Sequence, residues 1–334
     1  MKRSWGTPRT TCGSVLVSFG LMAMLILCGL SSGAEPLDTP PVIAIIAPFS
    51  DFGEETALKD SEGGDICHLL PLGIYENSTW GRYCVDSFIP WTDKKLKIEP
   101  ECESRIAALS DSTFFFTTGL EFRTTQQCHW QIMDVLFTAF CGRCPDAAVG
   151  EDPVVVLNRK PQWEIVPRAQ SKISPESLAP NALKAVEKER LEPWTVEHPG
   201  YDALKYQPLE IVESKTFRMT PTRNVAWIYA SLPYPAALAP KEDPVPEFDL
   251  WYGEYYALVE LSEGTPPRVL WEEGYFLDDY WSHRRLKFLG VCDGNADEIA
   301  EVVLEKGGHE YREFILLALQ DGQYREVSHV GAAL

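Results

Sequence analysis

The sequence predicts a mainly β chain with minor helices, its C-terminal half an antiparallel meander. Three observations carry that expectation. From about residue 206 onward, short runs rich in Val, Ile, Tyr, Phe and Trp recur. Gly, Pro and Asp break them at short intervals, as turns between strands require. "LQDGQYREV" places Asp321-Gly322 between two such runs, the pair that a tight two-residue hairpin favours.

In chain order, residues 1–34 read as a signal peptide. Lys2, Arg3 and Arg9 precede an apolar run, Val15 to Leu30, and the small residues Ser32, Gly33 and Ala34 follow it. The run is shorter than the roughly 20 residues needed to span a bilayer, so no membrane span is expected after removal of the signal. Lipidation at Cys28 is the alternative, disfavoured because Leu27 is not the small residue such a site wants. Cleavage after Ala34 removes three positive charges and no negative one, moving the net charge from −19 to −22. So acidic a surface repels phosphate backbones, which argues against nucleic-acid partners. The expected location is extracytoplasmic, periplasmic or secreted.

Residues 35–160 form a cysteine-bearing α+β or β-rich region. "EPLDTPP" leads into "VIAIIAPF", an apolar strand. Cys67, Cys84, Cys102, Cys128, Cys141 and Cys144 crowd into this region, an even set that reads as a disulfide framework of undetermined pairing. Cys292 is left over. In "VLFTAFCGRCPD" the Cys141/Cys144 pair has thioredoxin-like spacing, so an envelope thiol oxidoreductase is one alternative function. That chemistry needs Cys141 at a helix N-terminus. Ile132, Val135, Leu136, Ala139 and Phe140 recur instead at helical spacing ahead of it, which predicts a helix ending at Cys141 and a structural disulfide. Zinc on Cys67, His68, Cys128, His129, Cys141 and Cys144 is disfavoured, because adjacent ligands point apart.

Residues 161–205 read as a polar, Pro-punctuated connector with one surface helix at "NALKAVEKERL". Residues 206–334 are the meander, with strands expected in "PLEIVES", "NVAWIYASL", "WYGEYYALVEL", "PRVLWEEGYF", "RLKFLGV", "EIAEVVLE", "YREFILLAL" and "QYREV". "LPYPAALAPKEDPVPEF" interrupts them as a long loop. The aromatic run "WYGEYY" reads as sheet core rather than as a sugar platform.

Leu289-Gly290, Asp293-Gly294-Asn295, Asp297-Glu298-Ile299 and "FILLALQDGQYREV" follow one another within residues 255–327. In this order they resemble a blade of the FG-GAP or VCBS-type, integrin-like repeat proteins. The resemblance implies a propeller-like arrangement and a calcium loop. Counted from Asp293, calcium ligands fall on Asp293, Asn295, Asp297 and Glu301, with Glu298 where the family has Gly. Matching Glu298-Ile299 to the start of the family's β-branched strand gives another register, with Glu298 as the acidic ligand. The other reading is an Asp/Asn/Gly turn without metal, expected because so short a loop offers fewer than the six to eight oxygens calcium prefers.

The function expected is that of an exported, non-catalytic β-rich binding or scaffold protein, its partner an unknown protein or glycan. The hydrolase alternative would use paired carboxylates, Asp278 and Asp279 with Glu272, in an aromatic cleft. No nucleotide-binding glycine loop, serine-nucleophile elbow or paired-histidine zinc motif occurs in the chain.

Overall fold

The structure is a computed structural model. It describes residues 39–48, 66–83, 105, 108–109, 111–116, 120–132, 135–144, 153–160, 173–189, 208–232, 252–261, 267–277, 285–307 and 311–333. The proposed signal peptide, Cys28, Cys84, Cys102, the Pro-rich loop after Leu232, and Asp278 and Asp279 lie outside these residues. Pro41–Leu334 form one compact unit.

The fold is mainly β and antiparallel, as expected. The first sheet takes β1 (Val42–Pro48), β2 (Ile66–Glu76), β3 (Thr79–Arg82), β4 (Thr113–Phe116), β5 (Glu121–Arg123), β6 (Gln126–Ile132), β7 (Val135–Arg143) and β8 (Val154–Leu157). Its order is β5-β4-β8-β1-β2-β7-β6, with β3 also paired to β2. β1 sits centrally because its apolar run can be buried on both faces. Ile43 and Ile45 enter one core while Val42, Ala44 and Ile46 enter another. Pro71 cannot donate to a ladder, and it stands opposite Ala44 where the β1–β2 register shifts. The helix expected over 132–140 is instead the β6–β7 hairpin, with Ile132 paired to Val135. Over so short an apolar window, helix and strand periods are not separable.

The second sheet is a meander of β9 (Glu210–Thr220), β10 (Arg223–Leu232), β11 (Tyr252–Leu261) and β12 (Arg268–Leu277). The third is a meander of β13 (Leu286–Cys292), β14 (Glu301–Gly307), β15 (Tyr311–Gln320) and β16 (Gln323–Ala333). Strand alternation gives each sheet two apolar faces, and the layers stack accordingly. Trp227, Tyr256, Leu258 and Leu270 of the second sheet meet Val302, Leu304, Ile315 and Leu317 of the third. The third sheet's other face, with Val303, Phe314, Leu316 and Val330, packs on Ile43, Ile45, Leu70, Leu72 and Trp80 of the first. N-terminal and C-terminal strands thus share one core. The segment 255–327 that carries the blade resemblance covers most of β11, all of β12 and most of the third sheet.

The helix, α1 (Pro175–Glu189), starts before the expected Asn181. Ser174 precedes it, with Pro175 at the first position, where a missing N–H is no loss. The helix lies on the surface of the second sheet with one face buried. Leu178, Ala182, Ala185 and Val186 bury against Ala226, Ile228, Tyr255 and Ala257, and burying Leu178 or Val186 alone contributes about 1.5–3 kcal/mol. Gly274 of β12 permits the approach, since a Cβ there would lie 2.6 Å from the Ala185 carbonyl carbon.

Cys67 and Cys144 form a disulfide with Cα atoms 5.1 Å apart, and Cys141 is disulfide-bonded as well. Cys141 lies buried on a strand. Cys141 therefore stands on a strand rather than at a helix N-terminus, and Cys144 is paired with Cys67 rather than with Cys141. Bonded to each other, Cys67 and Cys144 are also excluded as zinc ligands.

Candidate functional site: a cleft walled by three turns

Three turns of the first and third sheets converge on one cleft of ≈ 440 Å³. The first is the β2–β3 turn, where Asn77 and Ser78 both have positive φ (52° and 62°), the backbone of a two-residue hairpin whose twist suits the flanking strands. Asp321 and Gly322 (φ 52° and 75°) repeat that geometry between β15 and β16, as the sequence predicts. The β13–β14 loop, Asp293 to Ala300, completes the wall.

That loop is held by its own short polar side chains. Asp293 accepts from the backbone N–H groups of Asp297 (3.1 Å) and Glu298 (3.2 Å). Asp297 accepts from Ile299 N–H at 2.8 Å and from the Asn295 amide at 2.9 Å, and Asn295 Oδ1 accepts from Asp297 N–H at 3.2 Å. These bonds offset the backbone strain at Ala296 and Glu298, non-glycine residues at φ 62° and 65°. The C-terminal end of the loop is anchored, since Ala300 N–H donates to Met219 O at 2.8 Å and the Tyr324 hydroxyl donates to Ala300 O at 2.9 Å.

Glu301, the first residue of β14, forms the floor and is only 3% exposed. Its two oxygens accept separately, from Trp80 Nε1 at 2.8 Å and from Gly294 N–H at 2.8 Å. Gly294 allows the loop to lie directly on the core, because a Cβ there would stand 2.8 Å from Trp80 and 2.9 Å from Ile43. Burial pushes the Glu301 carboxyl up to about 8; the two donors oppose that rise, and the charges of Asp297 and Asp293 add to it. The buried Cys292 thiol beside it is also raised, by burial first and then by Glu301 and Asp293.

Of the residues that sequence singled out for calcium, Asp293, Asn295 and Asp297 are thus brought together. Glu301 turns to Trp80 and Gly294, while Glu298 is exposed. Among the described residues, no group of three or more His, Cys, Asp or Glu side chains is placed to hold a metal ion. Glu272, the described member of the hydrolase set, accepts from the Tyr255 hydroxyl at 2.9 Å and the Asn181 amide at 3.2 Å, tying β12 to β11 and α1. Tyr255 and Tyr256 of the aromatic run are fully buried core. The sequence reading missed Trp80 and Tyr75, whose rings lie 5.3 Å apart in the cleft wall. Among the described residues no helix is long and apolar enough to cross a membrane. Comparison of the chain with protein-family models, curated proteins and solved structures returns no match.

Proposed function

We propose that this chain is an extracytoplasmic, non-catalytic binding or scaffold protein whose recognition site is the cleft between the three turns. The observation that carries the reading is the state of the Glu301 carboxyl. It is the buried acid of the cleft, near an aromatic wall and with a raised proton affinity, and so has some features of a general acid. A general acid must reach its substrate, and Glu301 is only 3% exposed. Both Glu301 oxygens already accept a protein donor, and each Asp297 oxygen accepts another. The arrangement supports a rigid, preformed floor rather than a proton shuttle. The integrin-like repeat resemblance supports the binding class, and the Cys67–Cys144 disulfide supports an oxidising compartment. In this reading the Asp293–Asp297 loop is a hydrogen-bonded turn that needs no calcium.

Two measurements test the proposal. Fractionation of the native host should place the protein outside the cytoplasm, beginning at Glu35. Chromogenic glycoside, ester and peptide substrates should show no turnover; turnover that disappears in a folded Glu301→Gln variant would refute the non-catalytic reading.

A further inference from the structure

The chemistry of the cleft narrows its ligand, on the premise that the cleft is the binding site. Its volume, ≈ 440 Å³, falls in the range of small-ligand clefts, roughly 300–1,000 Å³. Its polar groups divide into two sets. Those of the floor are engaged, as Glu301, Asp297 and Asn295 show. Those of the rim are not. Among the described residues the Tyr75 phenol, the Ser78 hydroxyl and the Gln320 amide make no side-chain hydrogen bond, and they come from hairpins of two different sheets. Ile299, Ala318 and Leu319 supply apolar surface between them.

Charge disfavours an anion and gives a cation little hold. Among the described residues no Lys or Arg lines the cleft, so an anion would meet the repulsion of Asp297 and Asp321. The same carboxylates would attract a cation, but only weakly. Of the described lining carboxylates, Asp297 and Glu301 already accept donors, and Asp321 is 89% exposed and 3.9 Å from Arg325; a pair so exposed to water contributes little. What remains is a rim of hydroxyl, phenol and amide groups around apolar patches. That combination suits a ligand with hydroxyls at its edges and C–H surface on its faces.

We propose that the cleft binds a neutral saccharide unit of a glycan, with Gln320, Ser78 and Tyr75 hydrogen-bonding its hydroxyls over the Ile299–Leu319 surface. The test is an array of neutral oligosaccharides of glucose, mannose, xylose and N-acetylglucosamine, followed by calorimetry on the best binder, with octalysine as the cationic comparison. Tyr75→Phe and Gln320→Ala alter groups with no protein partner, so both variants should keep the wild-type melting temperature. Each should weaken saccharide binding about tenfold, the value of one hydrogen bond lost to an oriented ligand. Octalysine binding weakened by Asp321→Asn, with no saccharide bound, would overturn the saccharide assignment while leaving the cleft as the site. Saccharide binding indifferent to both substitutions, or no binding of either probe, would overturn the inference; crosslinking at the cleft then judges the site independently.

Discussion

Acidification should destabilise this protein through His68. It lies on β2 between Ala47 of β1 and Cys141 of β7 and is fully buried. By strand alternation it shares the face of Leu70 and Leu72, which pack against the third sheet. Burial penalises the imidazolium and lowers its pKa from 6.5 to about 3. As pH falls through 6.5 the unfolded chain takes up a proton that the folded chain refuses, so each further pH unit removes about 1.4 kcal/mol of stability until the folded value is reached. From pH 7 to pH 4 the loss is about 3 kcal/mol, a large part of a typical domain's 5–15 kcal/mol. Glu301 acts in the opposite direction. Its folded value near 8 exceeds the ordinary 4.5, so its contribution declines as pH rises through that window. The assay must therefore be differential. Urea unfolding of wild type and His68→Leu at pH 7, 6, 5 and 4, at constant salt, isolates the histidine because Glu301 and the other carboxyls are common to both. The wild type should lose about 3 kcal/mol more than the variant across the series. Parallel acid profiles would refute the argument, by showing that His68 is protonated in the fold or is not buried.

Other outcomes follow from the same structure. Trp80→Phe keeps the ring in the core but leaves a Glu301 oxygen without its donor, and should cost about 1–3 kcal/mol in urea unfolding. Loss of the Cys67–Cys144 bridge, which links residues 77 positions apart, should cost about 4 kcal/mol in the chain-entropy model when Cys144→Ser is compared with wild type. Non-reducing peptide mapping should recover that pair. Millimolar calcium should leave the melting temperature unchanged, since the 293–301 loop is held by its own hydrogen bonds; a rise abolished by Asp293→Ala and Asp297→Ala would instead show a bound ion.

The strands with strong local signals were legible in the sequence. "VIAIIAP" reads as β1 because a run apolar on both faces needs cover on both, and Asp321-Gly322 reads as a hairpin because its conformation is a property of two adjacent residues. Elements set by competition between local and distant forces were less legible. β14 starts at Glu301 rather than at Glu298, since Asp293 and Asp297 capture the N–H groups of residues 297–299 that a longer ladder would have used. Pro180 obscures the first turns of α1, and the small side chains of Ala182 and Ala185 give little apolar signal although they bring the helix close to Gly274. Spacing drew attention to the Asp293–Glu301 loop, as a candidate calcium loop. The other part of the site gave no such signal, because Trp80 acquires its role only from a carboxylate 221 residues away.

The central claim is that recognition occurs at the cleft between the turns, and site-specific photocrosslinking in the native host tests it most directly. A photoreactive residue placed at Ser78 or at Gln320 lies on the cleft, whereas one at Val212, 59% exposed on β9, lies outside it. The account predicts adducts from positions 78 and 320 and none from 212. Adducts from 212 alone would contradict it and place the binding surface on the second sheet.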